Sequence, residues 1–253
     1  MKKEESKKTF GLIGKNISYS FSREYFSNKF KNLGLKNYQY LNFDLQDISD
    51  FHKVLKKNKQ ELKGLNITIP YKVKIFDFLD KIDSEAKKIG AVNTVKFTKN
   101  GKLIGFNTDA YGFKKSLQPL LQKYHKSALI LGTGGASKAV AHVFKQLGIN
   151  FKIVSRTKQQ SPLYIMYKDL NKIIINSNLI IVNCTPLGTY PEVEKAPSIP
   201  YNYITNKHLL YDLIYNPAHT SFLEQGKKNN ALTVNGLEML KQQAEKAWEI
   251  WNI

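Results

Sequence analysis

Apolar residues in the first hundred positions come in short runs separated by polar, turn-forming stretches, the pattern of strands alternating with amphipathic helices. Strands are expected at Phe10 to Ile13, Tyr38 to Phe43, Leu65 to Ile69, Val92 to Phe97 and Leu103 to Phe106, with helical stretches such as Arg23 to Leu33 and Ile48 to Leu55 between them. Near Ala110 the order restarts: a helix to Leu121, a strand Ala128 to Leu131, a helix Ser137 to Leu147 closed by Gly148, and a strand Phe151 to Val154. Further strands are expected at Leu179 to Asn183, Leu209 to Leu213 and Ala231 to Val234, with a helix near Ser221 to Lys228. Such alternation implies a parallel sheet covered on both faces. The stretch Leu237 to Trp251 consists of good helix formers and can pack on either half. The pattern is that of an α/β chain.

Composition agrees with two domains: 253 residues, of which 42% are hydrophobic, can bury a sizeable core and exclude a disordered chain. The greasiest stretch, Ile173 to Val182, is broken by Asn176, Ser177 and Asn178, well short of the roughly 20 apolar residues a bilayer span needs. No membrane is expected. The basic start Met1 to Lys8 lacks a following apolar segment and does not read as a signal peptide. A lone cysteine, Cys184, allows no internal disulfide, which fits a cytoplasmic protein. The 39 Lys+Arg against 20 Asp+Glu, a net charge of +19, raise the question of nucleic acid. Yet the arginines are Arg23 and Arg156 alone, and the lysines are scattered. Nucleic-acid readers lean on arginine for bidentate contacts, so the charge reads as diffuse surface solvation, with no nucleic acid as partner.

The strand Ala128 to Leu131 runs straight into Gly132-Thr133-Gly134-Gly135-Ala136-Ser137 and a helix. A dinucleotide pyrophosphate needs such a turn, with bare backbone N–H groups and a helix N-terminus behind them. An ordinary strand-to-helix turn is the plain alternative, but the placement between strand and helix favours a cofactor. Ser137 stands where the fingerprint has its third glycine and is small enough for close packing. The next strand ends in Ser155-Arg156-Thr157-Lys158 without an acid. An NAD site places Asp or Glu there for the ribose 2′-hydroxyl, and an NADP site a cation for the 2′-phosphate, so NADP is favoured.

In the first half, alternation in Leu65-Asn66-Ile67-Thr68-Ile69 sends the apolar residues to one face and Asn66 and Thr68 to the other. Pro70 suits a first helical turn, which would place Lys72 near a helix N-terminus, where a cation opposes the helix dipole. Lys72 reads either as a proton carrier or as a solvated lysine. Asn93, a poor strand former in an apolar strand, needs a partner for its amide. Asp109 can be a helix N-cap. Hydroxyls two apart in Ser18-Tyr19-Ser20-Phe21-Ser22 can point the same way, or Ser22 can cap the helix that follows. The five histidines and Cys184 show no ligand spacing, and no metal is expected.

Taken together, the segments Gly14 to Ser22, Gly64 to Lys72, Gly90 to Thr94, Gly105 to Asp109, Gly132 to Ala136, Ser155 to Thr157, Asn183 to Gly188, Asp212 to Pro217 and Gly236 to Ala244 resemble the shikimate dehydrogenase family over nearly the whole chain. The resemblance implies an α/β fold with an N-terminal α/β substrate domain, a Rossmann-like doubly wound NADP-binding domain, and a C-terminal helix that returns to the first domain. The expected boundaries are 1–109 with 236–253 for the substrate domain and 110–235 for the NADP domain. It further implies that Lys72 and Asp109 form the catalytic pair, that Ser20 and Ser22 bind the substrate carboxylate with Tyr215 nearby, and that Thr68, Asn93, Asp109 and Gln243 hold ring hydroxyls. Gly132, Thr133, Gly134, Gly135, Ala136, Ser155, Arg156 and Thr157 would hold NADP, with Leu213 and Gly236 near the nicotinamide. Asn16, Tyr19 and Ser155 stand where proline, histidine and asparagine are usual. The implied activity is reversible NADPH-dependent reduction of 3-dehydroshikimate to shikimate in aromatic amino-acid (chorismate) biosynthesis, by a monomer or homodimer. A mixed quinate/shikimate dehydrogenase and a non-catalytic ligand sensor of the same fold share these motifs.

Overall fold

A computed structural model of the protein describes residues 6–17, 20–58 and 60–252. These divide into two compact units, one drawn from Met1–Thr108 and Ala244–Ile253, the other Asp109–Gln243. Strands and helices alternate in both, as the sequence predicts. The helix α8 (Leu237–Asn252) is shared, its last turns belonging to the first unit.

The first unit is a six-stranded sheet of β1 (Lys8–Gly14), β2 (Tyr38–Asp44), β3 (Leu62–Ile67), β4 (Lys81–Ile82), β5 (Thr94–Phe97) and β6 (Leu103–Phe106), in the order β2-β1-β3-β5-β6-β4. Only β5 runs against its neighbours. The carboxyl ends of the other five strands and the amino end of β5 therefore share one edge. Alternation along β1 splits its side chains between two cores. Phe10 and Leu12 join Phe26 and Phe30 of α1 (Phe21–Asn32) and Ala247 and Trp251 of α8. Ile13 faces the opposite core with Leu65, Ile67, and Phe51 of α2 (Phe51–Lys57), which also takes Ala86 of α3 (Ser84–Ile89). Trp251 lies so close over Gly64 that a Cβ there would stand 2.3 Å from its Nε1, and that nitrogen donates to Val95 O at 3.1 Å. Burying a ring of this size contributes roughly 1.5–3 kcal/mol.

The second unit holds β7 (Ser127–Leu131), β8 (Asn150–Ser155), β9 (Tyr164–Met166), β10 (Ile180–Asn183), β11 (Leu209–Asp212) and β12 (Leu232–Val234), all parallel, in the order β12-β11-β10-β7-β8-β9. This is the doubly wound dinucleotide order, whose direction of winding reverses between β7 and β10. On one face, Phe113 of α4 (Asp109–Leu117) meets Phe144 of α5 (Gly135–Gln146) and Tyr211 edge-on, at 5.7 and 5.2 Å. The other face packs Leu129, Leu131 and Leu210 against Ile175 of α6 (Lys172–Ser177) and Phe222 of α7 (Ser221–Lys228). The elements absent from the sequence reading, β4, β9, α3 and α6, span two to six residues each, too short to show a period.

Candidate active site

Five of the expected site residues sit at the carboxyl edge of the first sheet. Ser20 is the N-cap of α1, its Oγ accepting from Arg23 N at 3.3 Å. Ser22 lies inside that helix, so the capping alternative entertained for it belongs to Ser20 instead; Tyr19 and Ser18 fall outside the described residues. Thr68 leaves β3, held by its N–H to Ile13 O at 2.8 Å. The helix expected to open at Pro70 is absent. Tyr71 N–H donates to Thr68 O at 2.9 Å, the buried Tyr71 phenol donates to Leu45 O at 2.6 Å, and this anchored turn includes a cis Ile69–Pro70 bond. Lys72 thus stands in a turn ahead of a five-residue 3-10 helix, Lys74–Phe78, and not in the first turn of an α-helix. Because β3 stops at Ile67, Ile69 is 66% exposed and not on the buried face. Val92 N–H donates to Lys72 O and Ile67 N–H to Asn93 O, each at 2.8 Å, which ties the two segments side by side.

Asn93 precedes β5 and is buried, and both ends of its amide meet Thr108. Asn93 Nδ2 donates to Thr108 Oγ1 at 2.9 Å while Oδ1 accepts from Thr108 N–H at 2.7 Å. Thr94 Oγ1 donates to the same oxygen at 3.1 Å and accepts from Asn66 Nδ2 at 3.2 Å. Asn66 Oδ1 in turn accepts from Tyr40 Oη at 2.8 Å. Asp109 follows Thr108 in the chain as the first residue of α4, not the residue capping it, and is itself buried.

In the second unit, β7 ends in Gly132, at φ +106°, where a Cβ would press on Thr185 Cγ2 at 3.1 Å beyond the end of β10. The glycine turn is therefore at the switch point, where open α/β sheets bind ligands. Gly134 is the N-cap of α5, and a Cβ there would meet nothing within 4 Å, so the turn is open to an approaching anion. Ser137, in place of a third glycine, is buried and turns its Oγ onto Gly134 O at 2.6 Å. Ser155 ends β8 with its Oγ donating to Thr157 O, which curls the strand end and leaves Arg156 and Thr157 exposed. A nucleotide carrying a pyrophosphate and a 2′-phosphate fits this donor set.

Gly236 and Leu213 come together as backbone: a Cβ on Gly236 would lie 2.1 Å from Leu213 O. Tyr215 follows on the same loop, half-buried. Gln243 is on α8 where that helix presses on α4. A Cβ on Gly112 would meet Gln243 Cβ at 3.0 Å, one helical turn beyond Asp109. Under these loops lies Asp212, fully buried at the end of β11. Its carboxylate accepts from Thr220 Oγ1 at 2.6 Å, Asn183 Nδ2 at 3.0 Å and Ile214 N–H at 3.0 Å. Burial outweighs these donors and pushes its pKa up to about 6; burial and the neighbouring Asp212 push the Cys184 thiol up as well.

Curated relatives decide the family. A shikimate dehydrogenase (NADP(+)) of Methanococcus maripaludis strain C6 is 40% identical, covering 96% of this chain and 91% of its own. The chain belongs to the shikimate dehydrogenase family. The family's substrate binding domain model matches residues 12–95, a span that contains Ser20, Ser22, Thr68, Lys72 and Asn93. The Aquifex aeolicus shikimate dehydrogenase structure superposes with a TM-score of 0.86 at 35% identity, covering 97% of this chain and 92% of that one. Shikimate 5-dehydrogenase of Thermus thermophilus, solved with NADP(H) and shikimate, gives 0.85 at 30% identity over 96% and 93% of the two chains.

Within this shikimate dehydrogenase fold, several residues that shape the site escaped the sequence reading. Asp212 left a signal, a carboxylate ending an apolar strand, while Asn66, which the alternation turns to the polar face with Thr68, has no role in that reading. Tyr40 left none, since tyrosine in a strand is unremarkable. Among the described residues no group of His, Cys, Asp and Glu is placed to hold a metal ion, and no helix is long and apolar enough to cross a membrane.

Proposed function

We propose that this chain catalyses the reversible NADPH-dependent reduction of 3-dehydroshikimate to shikimate, the step of aromatic amino-acid biosynthesis that its relatives are named for, as a cytoplasmic enzyme. The reading rests on the end-to-end likeness to NADP-dependent shikimate dehydrogenases. Bound NADPH supplies the hydride. Ser20 and Ser22 hold the substrate carboxylate, with Tyr215 assisting, and Thr68, Asn93, Asp109 and Gln243 hold the ring hydroxyls. As the ketone is reduced, negative charge gathers on its oxygen. The Lys72 ammonium stabilises that charge and gives the oxygen a proton, and in the reverse direction takes it back. Asp109 orients the reacting hydroxyl. The glycine turn Gly132 to Ala136 and the first turn of α5 take the pyrophosphate. Ser155, Arg156 and Thr157 take the 2′-phosphate, and Leu213 and Gly236 line the nicotinamide.

Purified protein offered shikimate and quinate, each with NADP and with NAD, tests this. Turnover is expected with shikimate and NADP at least tenfold more efficiently than with any other pair. Comparable quinate turnover would make the enzyme one of mixed specificity. Binding of shikimate without any turnover would make it a sensor.

A further inference from the structure

The buried polar chain under the first sheet's carboxyl edge joins residues assigned to opposite ends of the substrate. Thr108 N–H can only donate, so it fixes Asn93 Oδ1 as an acceptor, at 2.7 Å. Asn93 O can only accept, and it receives Asn66 Nδ2 at 3.4 Å, beside the firmer bond from that nitrogen to Thr94 Oγ1 at 3.2 Å. Asn66 Oδ1 must then face Tyr40, and the Tyr40 hydroxyl is committed to donating to it at 2.8 Å. Ser22 stands one turn before Phe26 on the same face of α1, and Phe26 stacks on Tyr40, so the Ser22 hydroxyl is on the side of the phenol's remaining lone pairs. The Tyr40 ring cannot shift to relax this arrangement. It is buried and stacks on Phe26, one helical turn after Ser22, at 4.8 Å and 10° between planes.

We propose that Tyr40 is a positioning residue for the substrate, its hydroxyl tying the Ser22 end of the site to the Asn66 and Asn93 end. The inference rests on the substrate assignment given above. Removing the hydroxyl leaves Asn66 Oδ1 buried without its donor and Ser22 without its neighbour, so both ends loosen together while the ring and its packing remain.

Tyr40→Phe is the test, with Tyr38→Phe as control, because the Tyr38 phenol pairs with Lys8 Nζ at 2.8 Å on the same strand. KM for shikimate and the calorimetric Kd for shikimate without cofactor are expected to rise roughly tenfold in Tyr40→Phe, with KM for NADP within twofold and Tyr38→Phe unchanged. A Tyr40→Phe protein whose shikimate KM and Kd match wild type overturns the inference, even if its thermal stability falls. In the double variant Ser22→Ala/Tyr40→Phe, the rise in KM should be smaller than the product of the single effects; a full product assigns Tyr40 to structure alone. Should Tyr40→Phe not fold, wild-type protein carrying 13Cζ-labelled tyrosine decides, since shikimate should shift the Tyr40 resonance and an unmoved line refutes the link. Wild-type protein that neither binds nor oxidises shikimate would fail the functional reading itself, and this inference with it. Active wild type beside an indifferent Tyr40→Phe fails this inference only.

Discussion

At the carboxyl edge of the first sheet the buried polar groups form a neutral chain, Tyr40, Asn66, Thr94, Asn93 and Thr108, in which the phenol and amide protons have assigned directions. At the corresponding edge of the second sheet, Asn183, Thr220 and the Ile214 N–H converge on one buried carboxylate, Asp212. The first arrangement presents donors and acceptors in a fixed pattern, which suits a small polyhydroxylated ligand whose analogues differ by single hydroxyls. The second gathers the loops after β10 and β11 around a charge and gives stiffness at a cost in desolvation. Recognition by direction and support by charge thus fall to different halves of the molecule, and the two should respond differently to substitution and to pH.

The sharpest break is at Lys72. Lys72→Ala should lower kcat by roughly 10² to 10⁴ with a far smaller change in shikimate KM, since the proposed binding partners remain. Steady-state kinetics showing raised KM and intact kcat would recast it as a binding cation. Next comes Asp109→Asn, expected to melt within a few degrees of wild type and to lose on the order of 10² in kcat, because asparagine keeps the size and shape of the buried aspartate but brings no charge. In the other half, Arg156→Ala should weaken NADP by about 1.5–3 kcal/mol, one charge-assisted hydrogen bond, and leave NAD untouched. Equal losses in a cofactor titration would make Arg156 structural.

The smallest effect separates the halves by pH. Asp212 is raised from 3.8 to about 6 in the folded protein, so the folded state binds the proton first as pH falls. Its contribution to stability therefore grows between pH 7 and pH 5, by about 1 kcal/mol. Denaturant unfolding of wild type against Asp212→Asn at the two pH values isolates that slope, which the variant should lack. The Tyr40 hydroxyl is pushed upward by burial and stays protonated throughout, so the neutral chain adds nothing to the same measurement.

Local signals carried much of this architecture. Leu103 to Phe106 and Ser221 to Lys228 have the expected bounds, and the glycine turn lies between strand and helix as its spacing requires. The misreadings occur where tertiary contact overrides a local preference. Pro70 has the dihedral for a helix start, but the burial of Tyr71 draws the chain into a turn. Ser20 and Ser22 are equally good caps by residue type, and the fold uses Ser20, whose Oγ accepts from Arg23 N–H. Tyr40 and Asn66 are 26 positions apart on strands β2 and β3, which flank β1 without touching each other. No periodicity in one chain reports such a pair.

The placement of Trp251 over Gly64 also sets an order of events during synthesis. Phe10, Phe26 and Phe30 emerge from the ribosome early, yet the helical turns that cover them, with Ala247 and Trp251, are translated only after the whole of Asp109–Gln243. At about 5–20 residues per second that interval is on the order of ten seconds. Throughout it the nascent first unit lacks the helical turns that cover its aromatic face, while the second unit has every residue it needs to fold ahead of its elder neighbour.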